Sequence, residues 1–172
     1  NGNPVQQPKG NQVIVINRKW QPGDILELQL PMEISTSRWA ENSVAFERGP
    51  ILYALKIEEE WKAKRNSDFP QYYYDILPRS PWNYGILESA IQKKEFTLRI
   101  SGISNTMPWN LKNAPISITL KGKRLEQWQE YNNSAGKLPV SNGTHNGAKE
   151  ELITLIPYGC TTLRISEFPI TN

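Results

Sequence analysis

The residues best suited to chemistry in this sequence are its aromatics and its carboxylates. Six Trp and seven Tyr occur among 172 residues. An indole is flat and apolar with one polar edge, so it matches the C–H face of a sugar ring and tolerates half-exposure. Trp20, Trp39, Trp61, Trp82, Trp109 and Trp128 all fall at or beside expected turns or strand ends. Loops on a rigid β scaffold are where binding residues gather. Tyr72, Tyr73, Trp82, Tyr84 and Trp109 are the side chains expected to grip a glycan. The competing role is packing, since large aromatics also plug the ends of β-sandwiches, and that is the more ordinary role of any single Trp.

Paired carboxylates would be the sharper enzymatic device. Glycoside hydrolysis needs two, about 5–10 Å apart, one acid and one base or nucleophile. Glu41, Glu47, Asp75, Glu88 and Glu167 lie near aromatics, but nothing in their spacing selects two of them. The single His145 sits in an Asn/Gly-rich loop with no Ser or Cys pattern beside it. Cys160, between Gly159 and Thr161, reads as a buried, inert thiol. One cysteine excludes an internal disulfide and a Cys-rich zinc site. No His/Asp cluster and no EF-type loop is present, so neither a metal nor a cofactor is expected, and the chain is not expected to catalyse a reaction by itself.

The frame that must position these side chains is a β frame. Thirteen Pro and eleven Gly punctuate the sequence, with short β-branched and aromatic runs between them. Val13–Ile16 is an apolar run. Pro22-Gly23 suits the centre of a type II turn. After it Ile25, Leu26, Leu28 and Leu30 approach strict alternation, the mark of a half-buried strand. Met32–Ser37 alternates again. Ser43–Glu47 and Ile51–Ile57 flank the corner Arg48-Gly49-Pro50, where Gly reaches backbone angles closed to other residues and Pro fixes the next φ. Further strands are expected at Phe96–Ile100, Ile116–Leu120, Leu152–Pro157 and Thr161–Ser166. The mixed charges from Lys56 to Asp68 read as a solvated loop or helical turn, Asp68–Tyr84 as irregular, and Asn132–Lys149 as a long loop. No long 3.6-residue pattern occurs. The fold class is therefore all-β, an antiparallel, jelly-roll-like β-sandwich with few or no helices. Residues 1–172 form a single sandwich region, with a seam between two modules expected near 58–70.

Twenty basic against seventeen acidic residues give a net charge of +3, which does not argue for nucleic acid. Mean hydropathy is −0.57, and no stretch approaches the roughly 20 apolar residues that cross a bilayer, so no membrane partner is expected. The opening Asn1-Gly2-Asn3-Pro4 shows no signal peptide and reads as the middle of something longer. A lone cysteine fits a reducing cytosol or a secreted bacterial protein. A periplasmic or extracellular location is expected, with a cytoplasmic one left open. Asn132-Asn133-Ser134 and Asn142-Gly143-Thr144 match the N-glycosylation pattern, which matters only in a eukaryotic secretory route.

Three segments carry a family likeness. They are Trp20–Asp24 running into Leu28–Met32, then Glu47-Arg48-Gly49-Pro50-Ile51-Leu52-Tyr53-Ala54-Leu55, and finally Ile156-Pro157-Tyr158-Gly159-Cys160 through Pro169. Together they resemble the C-terminal β-sandwich region of glycoside hydrolase family 127, also described as domain of unknown function 1680, whose members include β-L-arabinofuranosidases. The resemblance implies an (α/α)6 barrel upstream carrying a cysteine nucleophile, a glutamate acid/base and a zinc. None of these can be placed on this chain. The expected role is a non-catalytic accessory region that packs on the catalytic barrel of a bacterial glycosidase acting on arabinose-type glycans. The alternative is a carbohydrate-binding module using exposed Trp and Tyr. A free-standing hydrolase comes last. An open sheet edge would also permit an edge-strand dimer.

Overall fold

The computed structural model describes residues 9–66, 69–102, 107, 109–142 and 149–172. In it the strands are β1 (Ile34–Arg38), β2 (Val44–Arg48), β3 (Ile51–Leu55), β4 (Glu59–Asn66), β5 (Phe69–Pro78) and β6 (Tyr84–Leu87). After one short helix, α1 (Glu88–Gln92), follow β7 (Thr97–Ile100), β8 (Ile116–Arg124), β9 (Glu130–Tyr131), β10 (Ser134–Ala135), β11 (Glu150–Pro157) and β12 (Ile170–Thr171). The fold is all-β, as the strand pattern leads one to expect. No helix among the described residues is long and apolar enough to cross a membrane.

The chain divides into two compact units between Pro31 and Met32. In the first, Pro22-Gly23 forms the expected turn: Gly23 has φ +90°, and the Asp24 amide donates to the Gln21 carbonyl at 3.1 Å. The Asp24 carboxylate accepts from the Gln21 amide and from Arg18, whose guanidinium lies 5.0 Å from the Trp20 ring centre. The half-buried strand expected at Ile25–Leu30 does not form. Ile25, Leu26, Leu28 and Leu30 are all exposed. Alternation becomes a strand only where a second strand takes up the backbone groups and a layer covers the apolar side. The described residues of this unit supply neither.

In the second unit, Arg48-Gly49-Pro50 turns β2 back onto β3. Gly49 has φ +57°, and a Cβ there would run into the Met32 sulfur. Eight strands share one sheet in the order β1-β2-β3-β11-β8-β6-β12, with β7 also pairing β8. All pairs are antiparallel except β12 with β6. The sheet curls until its two sides meet along the C-terminal segment. Val44 and Phe168 exchange both backbone hydrogen bonds, at 2.8 and 2.9 Å. One residue on, the Pro169 carbonyl accepts from the Ile86 amide at 2.8 Å. Residues 161–166, expected as a strand, instead run irregularly and lend the Ile165 carbonyl to the Leu55 amide.

The curl encloses the core. Phe46, Tyr53, Leu55, Ile86, Ile118, Leu120, Leu155, Phe168 and Ile170 are buried inside it. Phe46 meets Phe96 and Phe168 edge-on, with centroids 5.2 and 6.3 Å apart. Each such side chain stabilises the fold by about 1.5–3 kcal/mol through burial alone.

Two expectations about loops are corrected. The charged stretch after Lys56 is a strand, as is most of the segment read as irregular, and β4 and β5 form a two-stranded ribbon separate from the main sheet. Alternation resolves the texture. Glu60, Lys62 and Lys64 share one face, while Trp61, Ala63 and Arg65 share the other with Tyr72, Tyr74 and Ile76. The Asn/Gly-rich region begins with a hairpin, β9–β10, closed by Asn132 and Asn133 at φ +51° and +59°. That is the two-residue turn whose twist suits paired strands.

Candidate functional site

The structure does not bring the five expected glycan-binding side chains together. Tyr72 and Tyr73 are both exposed but occupy opposite faces of the β4–β5 ribbon, because side chains alternate along a strand. Tyr72 keeps company with Tyr74, Trp61 and Arg65. The Trp61 and Tyr74 rings meet edge-on at 5.7 Å, and the Arg65 guanidinium lies 5.9 Å from the Tyr72 ring centre. Tyr84 points inward and is only 5% exposed. Its hydroxyl donates to Glu151 at 2.8 Å, and burial, aided by that carboxylate, pushes the phenol up to about 12. It is a core residue and is withdrawn as a binding residue. Trp109 is exposed on the loop before β8, while Trp82 is half-buried in the loop between β5 and β6.

Trp82 lines an open cleft of about 820 Å³. One wall is Pro78–Asn83; the other comes from Arg124, Glu126, Trp128, Gln129 and Glu130. The first wall is stiffened by two prolines. It is tied to β4 by the Arg79 amide on the Glu58 carbonyl at 2.7 Å and by the Glu58 amide on Ser80 Oγ at 2.9 Å. The Arg79 side chain pairs with Glu60 at 2.9 Å. The second wall is a turn in which the Trp128 amide donates to the Leu125 carbonyl at 3.0 Å. A hydrogen bond from Trp128 Nε1 to the Gly136 carbonyl, also 3.0 Å, fixes the indole.

Asn83 joins the two walls. Its buried side-chain amide donates to the carbonyls of Leu125 and Trp128, at 2.8 and 3.1 Å, while its own carbonyl accepts from the Leu125 amide at 2.7 Å. The Trp82 and Trp128 rings then meet edge-on, 5.1 Å apart at 74°. The cleft therefore offers one half-buried ring, Trp82, held against the buried Trp128 and bordered by guanidinium, carboxylate and amide groups. These donors and acceptors match sugar hydroxyls, and an amphipathic ring matches the sugar's apolar face.

Four of the five carboxylates singled out for hydrolysis each engage a partner of their own. Glu47 accepts from Ser37 Oγ, Asp75 pairs with Lys64, Glu88 pairs with Arg38, and Glu167 accepts from Ser43 Oγ. Glu41 lies in a left-handed turn, its carbonyl accepting from the Ser141 amide. Among the described residues no two of the five share a hydrogen-bond or ion-pair partner. Cys160 is buried, and burial pushes its thiol up, away from the reactive thiolate. His145, with Gly143 and Thr144 of the second glycosylation pattern, lies outside the described residues. Among the described residues no three of His, Cys, Asp and Glu gather as a metal-binding group.

No protein-family model matches the chain, and neither a curated protein nor a solved structure does. Arg79, Arg124, Glu126, Gln129 and Glu130 escaped sequence reading as cleft residues. Their common signal is proximity to Trp82 and Trp128, which lie 46 positions apart and meet only once Asn83 has tied their loops.

Proposed function

We propose that this chain is a non-catalytic β module that binds glycans at the Trp82 cleft. The observation that carries this reading is the Trp82 ring, held edge-on against the buried Trp128 in an open, polar-rimmed cleft. The separate engagement of Glu47, Asp75, Glu88 and Glu167 and the buried thiol support the non-catalytic part. The arabinose-type glycans and the parent glycosidase rest on the resemblance of the Arg48-Gly49-Pro50 and Pro157-Tyr158-Gly159 segments to the family 127 accessory region.

The test is titration with arabinose-containing and other neutral oligosaccharides, read by Trp fluorescence and calorimetry. Quenching and heat are expected, both lost in a folded Trp82→Ala variant. No response at millimolar sugar, or an undiminished response in Trp82→Ala, overturns the cleft. Turnover of a glycoside by the purified chain overturns the non-catalytic part.

One observation favours a second reading, an accessory region packed on a catalytic body. The β4–β5 ribbon shows Trp61, Tyr72 and Tyr74 to solvent along one face. An isolated two-stranded ribbon is marginal in water, so burying that face stabilises it. Deleting this region from its parent enzyme should then destabilise the catalytic barrel. A barrel fully stable and active without it defeats the reading.

A further inference from the structure

A second concavity has a different chemistry. It is a cleft of about 340 Å³ on the outward side of the main sheet, away from Trp82 and the residues that wall it. Its floor follows from register. Thr119 of β8 lies opposite Thr154 of β11, and Ser117 lies opposite Arg99 of β7. The intervening Ile118 and Leu155 point the other way, into the core. The Lys56 amide donates to the Thr154 carbonyl at 2.8 Å, which extends the row past the end of β3. Ser101, Leu111, Lys112, Ala114 and Ile156 complete the lining. The loop that brings Lys112 is held by Asn110, whose Oδ1 accepts from the amides of Lys112 and Asn113 at 3.0 and 2.9 Å.

The charge pattern is one-sided. Lys56, Arg99 and Lys112 line the cleft, and among the described residues no Asp or Glu does. No ion pair among the described residues engages any of the three cations. Other cations on this unit, such as Lys64, Arg79 and Lys121, have carboxylate partners. Unpaired cations converging over a row of hydroxyls favour an anion, since charge-assisted hydrogen bonds are stronger than neutral ones. The row of Ser117, Thr119 and Thr154 hydroxyls both donates and accepts, as sugar hydroxyls do. The volume exceeds that of a bare oxyanion and falls at the low end of small-ligand sites, roughly 300–1,000 Å³.

We propose that this face is a second binding site, selective for an acidic sugar, with the sugar's carboxylate or sulfate among Lys56, Arg99 and Lys112 and its hydroxyls on the Ser/Thr row. The site is independent of the Trp82 cleft and stands or falls separately from it.

The experiment titrates the purified chain with trigalacturonate, a sulfated galactose disaccharide, neutral galactotriose and inorganic sulfate, at low and physiological salt. Amide shifts and calorimetry report binding. One or both acidic sugars should bind, and added salt should weaken them by screening. Arg99→Gln and Lys112→Gln, both at exposed positions, should each weaken binding about tenfold, the worth of one charge-assisted hydrogen bond. Circular dichroism checks that the variants remain folded. Trp82→Ala should leave this binding intact, and Arg99→Gln should leave neutral glycan binding intact. Retained affinity in the Gln variants overturns the site, as does silence from both acidic sugars at millimolar concentration. Sulfate binding as tightly as the sugars, or galactotriose binding equally well, overturns selectivity for an acidic sugar.

Discussion

The Glu59 carboxylate accepts the Thr162 amide at 2.7 Å, across 103 positions of chain. The same oxygen takes the Leu163 amide and the Thr161 hydroxyl, each at 3.1 Å, and the other oxygen takes Trp61 Nε1. One side chain at the root of the ribbon thus anchors the segment that leads to the closure of the sheet. Burial pushes the Glu59 carboxyl up, but the amides of Thr162 and Leu163, with Trp61 and Thr161, outweigh it and hold the group below its ordinary value. The contribution to stability is therefore full above the unfolded-state value of about 4.3 and is lost as pH falls through the lower folded value. Glu59→Gln should flatten that acid limb of the stability curve. Denaturation midpoints measured from pH 6 down to pH 3 test this, and an unchanged acid limb refutes the anchor.

Asn83→Ala should loosen the Trp82 cleft. The Trp128 carbonyl loses its side-chain donor, and the Leu125 carbonyl is left with the Trp128 amide alone. Stranding buried acceptors costs about 1–3 kcal/mol. The variant should unfold at lower urea, shift the Trp emission and bind neutral sugars less well than the native chain. A native emission spectrum with native affinity would show that the walls hold without it.

Tyr84 should ionise late. With its hydroxyl on Glu151 and its value near 12, it favours the protonated form in the folded state. Its contribution is present below the unfolded value of about 10 and lost as pH rises toward 12. In an alkaline spectrophotometric titration, Tyr84→Phe should lack one late phenolate step. Loss of an early step instead would place the hydroxyl in water.

Phe168→Ala should open the curl. Phe168 is fully buried, packs edge-on against Phe46, and trades backbone hydrogen bonds with Val44. Truncating a buried Phe costs about 3–5 kcal/mol. Hydrogen exchange at the Val44 amide should rise with the loss in stability. Protection that persists at Val44 would mean that the bridge does not depend on the ring.

Local signals in this chain were readable where they were self-sufficient. Gly23 and Gly49 mark turns because their positive φ is written into residue type. Ile116, Ile118 and Leu120 mark β8 because alternation needs only neighbours in sequence. Ile25–Leu30 shows the limit, since a strand pattern without a partner stays exposed. The ribbon shows the converse. Glu60, Lys62 and Lys64 looked like a solvated run until Tyr73, Asp75 and Leu77 were set opposite them. Site residues were harder. Tyr84 differs from Tyr72 in sitting on a strand of the main sheet buried on both faces rather than on the exposed ribbon, and Thr119 meets Thr154 through a register that no single segment encodes.

The mutual bonds of Val44 and Phe168 bear on synthesis as well as on stability. A ribosome adds about 5–20 residues per second, so Val44 emerges on the order of ten seconds before its mate. During that interval the Val44 end of β2 has one edge unpaired and the apolar Phe46 lacks its Phe168 cover. Closure of the sheet therefore waits on the late-emerging Phe168, and Phe46 is completed as a core residue only when that segment arrives.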